Sequence, residues 1–209
     1  MKDFIQKALD ASRSYEDYRS FLTDLLAEGK TTGPNQSEIY IQIANLNQQR
    51  MNRLDKRTKL IPELIASLAK VDQPYIFLVL TEGWCGDAAQ IVPILDKLVE
   101  ASPNLDMRLV LRDEHLELMD LFLTDGGRSI PKVLVLDPDS LEVVTTWGPR
   151  PAPAQKMSMD YKYHPDPKPS YELHHHELHA WYAKDKTQTT QSELLDLVNQ
   201  LASAEIVAS

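Results

Sequence analysis

Tyr75-Ile-Phe-Leu-Val-Leu80, Thr81-Glu-Gly-Trp-Cys-Gly-Asp-Ala88 and Ala89-Gln-Ile-Val-Pro-Ile-Leu-Asp-Lys-Leu-Val-Glu100 form one continuous stretch. Its first six residues are an unbroken apolar run of strand length, as expected for a strand buried on both faces. Its last part sets Ile91, Ile94, Leu95, Leu98 and Val99 at helical spacing. The turn between them holds Cys85, the chain's only cysteine. A lone thiol at a strand-to-helix turn poses a chemical question to the rest of the sequence.

Working outward, residues 1–30 read as helical, with Phe4, Ile5, Leu9, Tyr15, Tyr18, Phe21, Leu22, Leu25 and Leu26 at spacings of three and four. Ser37 to Leu54 repeats the pattern, with Ile39, Ile43, Leu46 and Met51 on one face, and runs into the cations Arg50, Arg53, Lys56, Arg57 and Lys59. That basic run is either a solvated helix face or a patch that receives an anion or an acidic surface of the same protein. Pro62 suits the first turn of a third helix, to about Lys70. Beyond the Cys85 helix, Leu105–Leu111 is a strand and Glu114–Leu123 a short helix. Lys132–Leu136 and Glu142–Trp147 pair as a hairpin across an Asp-Pro-Asp-Ser turn. Prolines then thicken, and helices are expected near 154–161, 170–184 and 188–203. The predicted fold is α/β: a mixed sheet of about four strands flanked by helices. Three regions result: an N-terminal helical extension over 1–70, a core over 71–150 and a C-terminal helical extension over 151–209 that packs on the core.

Composition narrows the function. The 209 residues are 43% hydrophobic, enough for a sizeable core, and carry a net charge of −9. That balance argues against nucleic acid and anionic lipid as partners. No apolar run approaches the roughly 18–20 residues of a membrane span. The first residues lack the apolar core of a signal peptide. With one cysteine there is no intramolecular disulfide, so a cytoplasmic, reducing location is expected.

Trp84-Cys85-Gly86-Asp87-Ala88, Pro93 eight residues after the cysteine, and Arg128-Ser129-Ile130-Pro131 ahead of Val133–Leu136 resemble the thioredoxin family in order and spacing. Trp-Cys-Gly-Asp-Ala together with the 147–156 segment is similar to a bacterial thioredoxin-like subfamily with helical additions at both ends. The resemblance implies a thioredoxin-like fold with Cys85 as the redox-active thiol. It also implies a cis Pro131 packed against that thiol, and an Ile130 backbone that docks an extended peptide or a small thiol. Trp84, Gly86, Asp87, Ile130 and Pro131 would shape the site, and Arg128 and Ser129 would border its groove. Two departures stand out. Ala88 occupies the resolving-cysteine position, and Val79 that of the family's buried acid. A mixed disulfide on Cys85 cannot then be resolved within the chain, which closes the dithiol cycle.

The leading expectation is therefore monothiol thiol–disulfide exchange with protein or low-molecular-weight thiols, in cell redox homeostasis. The alternative is a non-catalytic binding module that kept the fold. A helix N-terminus at Cys85 favours thiolate and a lowered pKa, whereas Asp87 opposes it. Free cysteine is also a common inert core residue. Arg112-Asp113-Glu114-His115 ends the second strand, either as a helix cap or at a ligand-binding edge. Trp147 and Arg150 are expected to anchor the C-terminal helices rather than line a pocket. His175 and His179 share the chelating i, i+4 spacing, but the 174–179 cluster lacks the His-Glu-x-x-His signature, so neither metal nor cofactor is expected.

Overall fold

Residues 1–203 are described here in a computed structural model; 204–209, the end of the expected C-terminal extension, lie outside the described residues. The chain begins with α1 (Lys2–Asp10), α2 (Tyr15–Ala27), α3 (Glu38–Arg57) and α4 (Pro62–Leu68). The core follows as β1 (Tyr75–Thr81), α5 (Ala88–Glu100), β2 (Leu105–Leu111), a 3-10 turn (Arg112–Glu114), α6 (Leu116–Met119), β3 (Lys132–Leu136) and β4 (Val143–Trp147). Then come α7 (Ala152–Lys162), α8 (Tyr171–Asp185) and α9 (Gln188–Ser203).

The sheet order is β2-β1-β3-β4, with β2 parallel and β3 antiparallel to β1. β1 has a neighbour on each side and a layer of helix on each face. That is why its sequence is unbroken: Phe77 to Leu80 are fully buried. β4 lies at an edge and alternates half-buried with exposed positions. The other edge, β2, is partly covered: Arg13 and Leu109 exchange two backbone hydrogen bonds of 2.9 Å.

That bridge explains one difference from the periodicity of residues 1–30. The segment is two helices, because the backbone at Arg13 is drawn to the sheet edge. Ser14 restarts the helix by accepting from the Asp17 N–H. Likewise 112–123 forms a 3-10 turn and the four-residue α6 rather than one helix. In α3 the buried residues are Ala44, Asn47, Met51 and Leu54, while Ile39 and Leu46 stay exposed. The inward face turns on Asn47, whose side-chain N–H₂ donates to the Gly83 carbonyl at 3.0 Å. A polar residue is buried there because it satisfies a buried backbone group, a contact that hydrophobic periodicity does not register.

The extensions share the core. Ile5, Ala8, Tyr18 and Leu22 from the front, and Leu194, Leu197, Val198 and Leu201 of α9, join the cluster built on β1 and α5. By contrast, α7 and α8 pack mainly on each other, around Ala154, Leu178 and Tyr182.

Candidate functional site

Sheet register decides what meets Cys85. Leu80 on β1 is paired with Lys132 at the start of β3, so the segment entering β3 arrives beside the turn leaving β1. Val133 is paired with Trp147, which delivers Gly148–Arg150 to the same end. Thr81 is paired with Leu111, which delivers Arg112 and Asp113. Three loops therefore converge on the N-terminus of α5.

The Ile130–Pro131 peptide is cis. The Cys85 thiol donates to the Ile130 carbonyl at 3.3 Å, and Sγ accepts from the Ala88 N–H at 3.4 Å. The helix terminus thus does reach the sulfur. It does not win: burial pushes the Cys85 thiol up to about 12, and the Asp87 carboxylate adds to the rise. The expectation of a lowered pKa is overturned because Cys85 is only 7% exposed and the Ala88 N–H and Arg150 charge offset only part of the desolvation.

Asp87 is itself gripped. Arg150 Nη2 lies 2.6 Å from Oδ2, and the Tyr182 hydroxyl donates to Oδ1 at 2.7 Å. Arg150 also donates to Gln155 Oε1 on α7 at 2.9 Å. Sequence reasoning gave Arg150 an anchoring role away from the pocket; it anchors by reaching the residue two after the thiol and also lines the cavity. Trp147 anchors in the expected sense, its Nε1–H donating to Glu193 Oε2 on α9 at 3.3 Å. Tyr182 was missed, since nothing in a helix pattern separates a core tyrosine from one aimed at a carboxylate.

A cavity of 680 Å³ opens against Cys85, Gly86 and Asp87. Ile39, Tyr40 and Ile43 of α3 wall one side, and Tyr171, His175 and His179 of α8 another. Trp84 sits between Tyr40, at a ring separation of 5.5 Å, and the Arg112 guanidinium, 4.9 Å from its ring. Ser129 and Ile130 line the floor, with Arg128 at its border. Each arginine of the cavity brings its own carboxylate: Arg112 with Asp113, Arg128 with Asp120, Arg150 with Asp87. Its charge is therefore balanced, and Tyr40, Trp84, Tyr161 and Tyr171 give its lining an aromatic component.

The histidines complete the cover. His175 and His179 Nε2 stand 3.1 Å apart, and Gln90 Nε2 is 3.3 Å from His179 Nδ1. A Cβ on Gly86 would fall 2.6 Å from His179 Nε2, so a glycine is what lets α8 come this close. Burial lowers the His179 pKa to about 3, helped by the charge on Arg50, and lowers that of His175. At neutral pH the pair is uncharged, one ring donating and the other accepting. Among the described residues no group of three or more His, Cys, Asp or Glu is placed to hold a metal.

Glu82 is the second residue that sequence reasoning passed over. It is 1% exposed, its Oε1 accepts from the Asp113 N–H at 2.9 Å, and burial raises its pKa to about 7. A carboxylate directly after seven strand residues was the available signal. An acid whose folded pKa exceeds its unfolded value holds its proton longer when folded. Its contribution to stability is thus present below about pH 4.5 and lost as pH rises through about 7. Urea midpoints measured from pH 5 to 8 are expected to fall for the wild-type protein and to fall less for Glu82→Gln; equal slopes would remove Glu82 as the source.

The sequence model of the thioredoxin family matches residues 33–162, more than half of the chain. No protein of curated function matches it. Among solved structures, a protein of unknown function from Pseudomonas aeruginosa is 18% identical, with a TM-score of 0.54 over 89% of this chain and 97% of that one. An HIV epitope scaffold is 16% identical, with a TM-score of 0.53 over 89% of this chain and 98% of its own. At these identities the likeness shows the fold alone. The matched region carries Cys85, the sheet and the 128–131 element together, and the chain belongs to the thioredoxin family.

Proposed function

We propose that this protein is a thioredoxin-fold binding module that takes a low-molecular-weight, neutral or zwitterionic ligand against Cys85. The observation that carries this is the charge-balanced 680 Å³ cavity with four Tyr and Trp rings in its lining, a volume within the usual range for small-molecule sites, roofed by helices from both extensions. The roof disfavours a protein substrate lying along the Ile130 edge. A thiol with its pKa near 12 is almost wholly protonated at neutral pH, and so a poor nucleophile. Trp84, Gly86, Asp87, Ile130 and Pro131 shape the pocket under this reading, with Arg128 and Ser129 at its border. A cytoplasmic setting fits a chain with one unpaired thiol; among the described residues no helix is long and apolar enough to cross a membrane.

One observation favours a second reading, monothiol exchange: Sγ already accepts an N–H at the start of α5 and faces the cavity. In that reaction the Cys85 thiol loses its proton to solvent and the thiolate attacks one sulfur of a disulfide. A new S–S bond forms at Cys85, the old one breaks, and the other half leaves as a thiolate. Iodoacetamide modification of Cys85 followed against pH separates the two. A midpoint above about 10, with modification slower than that of free cysteine at pH 7.5 and no cystine adduct by intact mass, supports binding. A midpoint below about 8.5 with a rapidly formed, thiol-reversible adduct would establish exchange instead.

A further inference from the structure

Beyond Arg50, the basic run at the end of α3 is not used by the Cys85 site. Arg53, Arg57 and Lys59 line a separate cavity of 420 Å³, closed on its far side by Lys186 and Gln188 at the turn from α8 to α9. Two neighbouring non-glycine residues, Lys186 and Thr187, hold positive φ of 52° and 70°, and this double left-handed turn sets α9 against the end of α3. Among the described residues, none of these four cations makes a salt bridge or a side-chain hydrogen bond. That contrasts with the arginines around Cys85, each of which has its carboxylate. Among the described residues no acid lines the cavity, and Asp185, the residue before Lys186, is engaged by the Thr189 N–H at 3.1 Å and by its hydroxyl. Thr58 lines the same cavity, and its Oγ1 is buried without a hydrogen-bond partner among the described residues. A chain of net charge −9 thus gathers four uncompensated cations around one concavity.

We infer that this cavity is a binding site for a small polyanion, of the chemical class of compounds carrying two or more phosphate groups. Four positive charges at one cavity match several negative charges better than one. The guanidinium groups of Arg53 and Arg57 suit two-pronged contact with phosphate oxygens. Tyr182 lines this cavity, and its hydroxyl donates to Asp87 at the Cys85 site.

The test is calorimetric titration of the full chain with inorganic pyrophosphate, with orthophosphate in parallel, at low and at physiological salt. Saturable one-to-one binding of pyrophosphate is expected, tighter than orthophosphate and weaker at higher salt. Arg57→Gln with Lys59→Gln is expected to weaken it about tenfold or more. Lys2→Gln, which removes one charge on the remote α1, is expected to leave it unchanged. All these side chains are exposed, so the variants are expected to fold, as circular dichroism would check. No saturable binding by the wild-type chain, or equal weakening by Lys2→Gln, would overturn the inference. Neither result bears on the Cys85 cavity, whose alkylation profile is measured separately.

Discussion

Gly148→Ala is expected to destabilise the protein by about 3 kcal/mol or more, read as a lower urea midpoint at unchanged slope. Two effects add. The glycine holds φ of +106°, a conformation that a Cβ makes costly. A Cβ there would also lie 2.4 Å from the Pro131 carbonyl oxygen, and that atom is backbone, with no rotamer to retreat into. Either β4 or the 130–131 segment must shift. For a chain of this size, the loss corresponds to a melting temperature lower by about 6–12 °C. The displacement falls on the segment whose Ile130 carbonyl accepts from the Cys85 thiol, so faster alkylation of Cys85 should accompany the lost stability. A midpoint within about 0.5 kcal/mol of wild type would show that the loop relaxes freely, and that the close approach positions nothing.

Arg150→Met carries the other large effect. Arg150 and Asp87 form a largely buried pair, their side chains 16% and 9% exposed. Removing one partner of such a pair leaves the other charge stranded, at a cost of about 3–5 kcal/mol. The Tyr182 hydroxyl still donates to Asp87, which places the expectation at the lower end of that range. Arg150→Met combined with Asp87→Asn removes both charges and is expected to recover a substantial part of the loss. The coupling measured by the double-mutant cycle isolates the pair. Additive effects would mean that the two side chains act independently, and that the grip of the C-terminal segment on the residue beside Cys85 lies elsewhere.

Much of this was legible in the sequence, and for physical reasons. β1 announced itself because a strand buried on both faces has no polar positions, and the run Tyr75–Leu80 has none with a charge. The Cys85 turn and the Ile130 carbonyl come together because strand register fixes which loop ends coincide. The balance of forces on the thiol was not legible. A helix terminus is a local property visible from the residues around it. Burial of the sulfur is a property of what α3 and α8 lay over it, some 40 residues before and 90 after. The same distance in sequence hid Asn47 and Tyr182. Each looks like an ordinary helical position until the buried carbonyl or carboxylate that it serves is brought alongside. Ile39 and Leu46 misled for the complementary reason. They are apolar at helical spacing yet exposed, and Ile39 and Ile43 border the cavity rather than the core.

The small core shared by α7 and α8 has a topological consequence. Just before it, β4 is stitched into the sheet; just after it, α9 is buried against α4 and the main core. The pair is thus an excursion anchored at both ends, not a free tail. If Asp87 releases Arg150 and Tyr182, what comes loose is a closed loop. The entropy gained by a loop with fixed ends grows only slowly with its length. Such a segment can detach and return while the sheet stays folded, with free energy below that of global unfolding. Asp87, Gln90 and Asp125 are the core residues that tie this excursion down, and Asp87 is the one that sits beside the thiol.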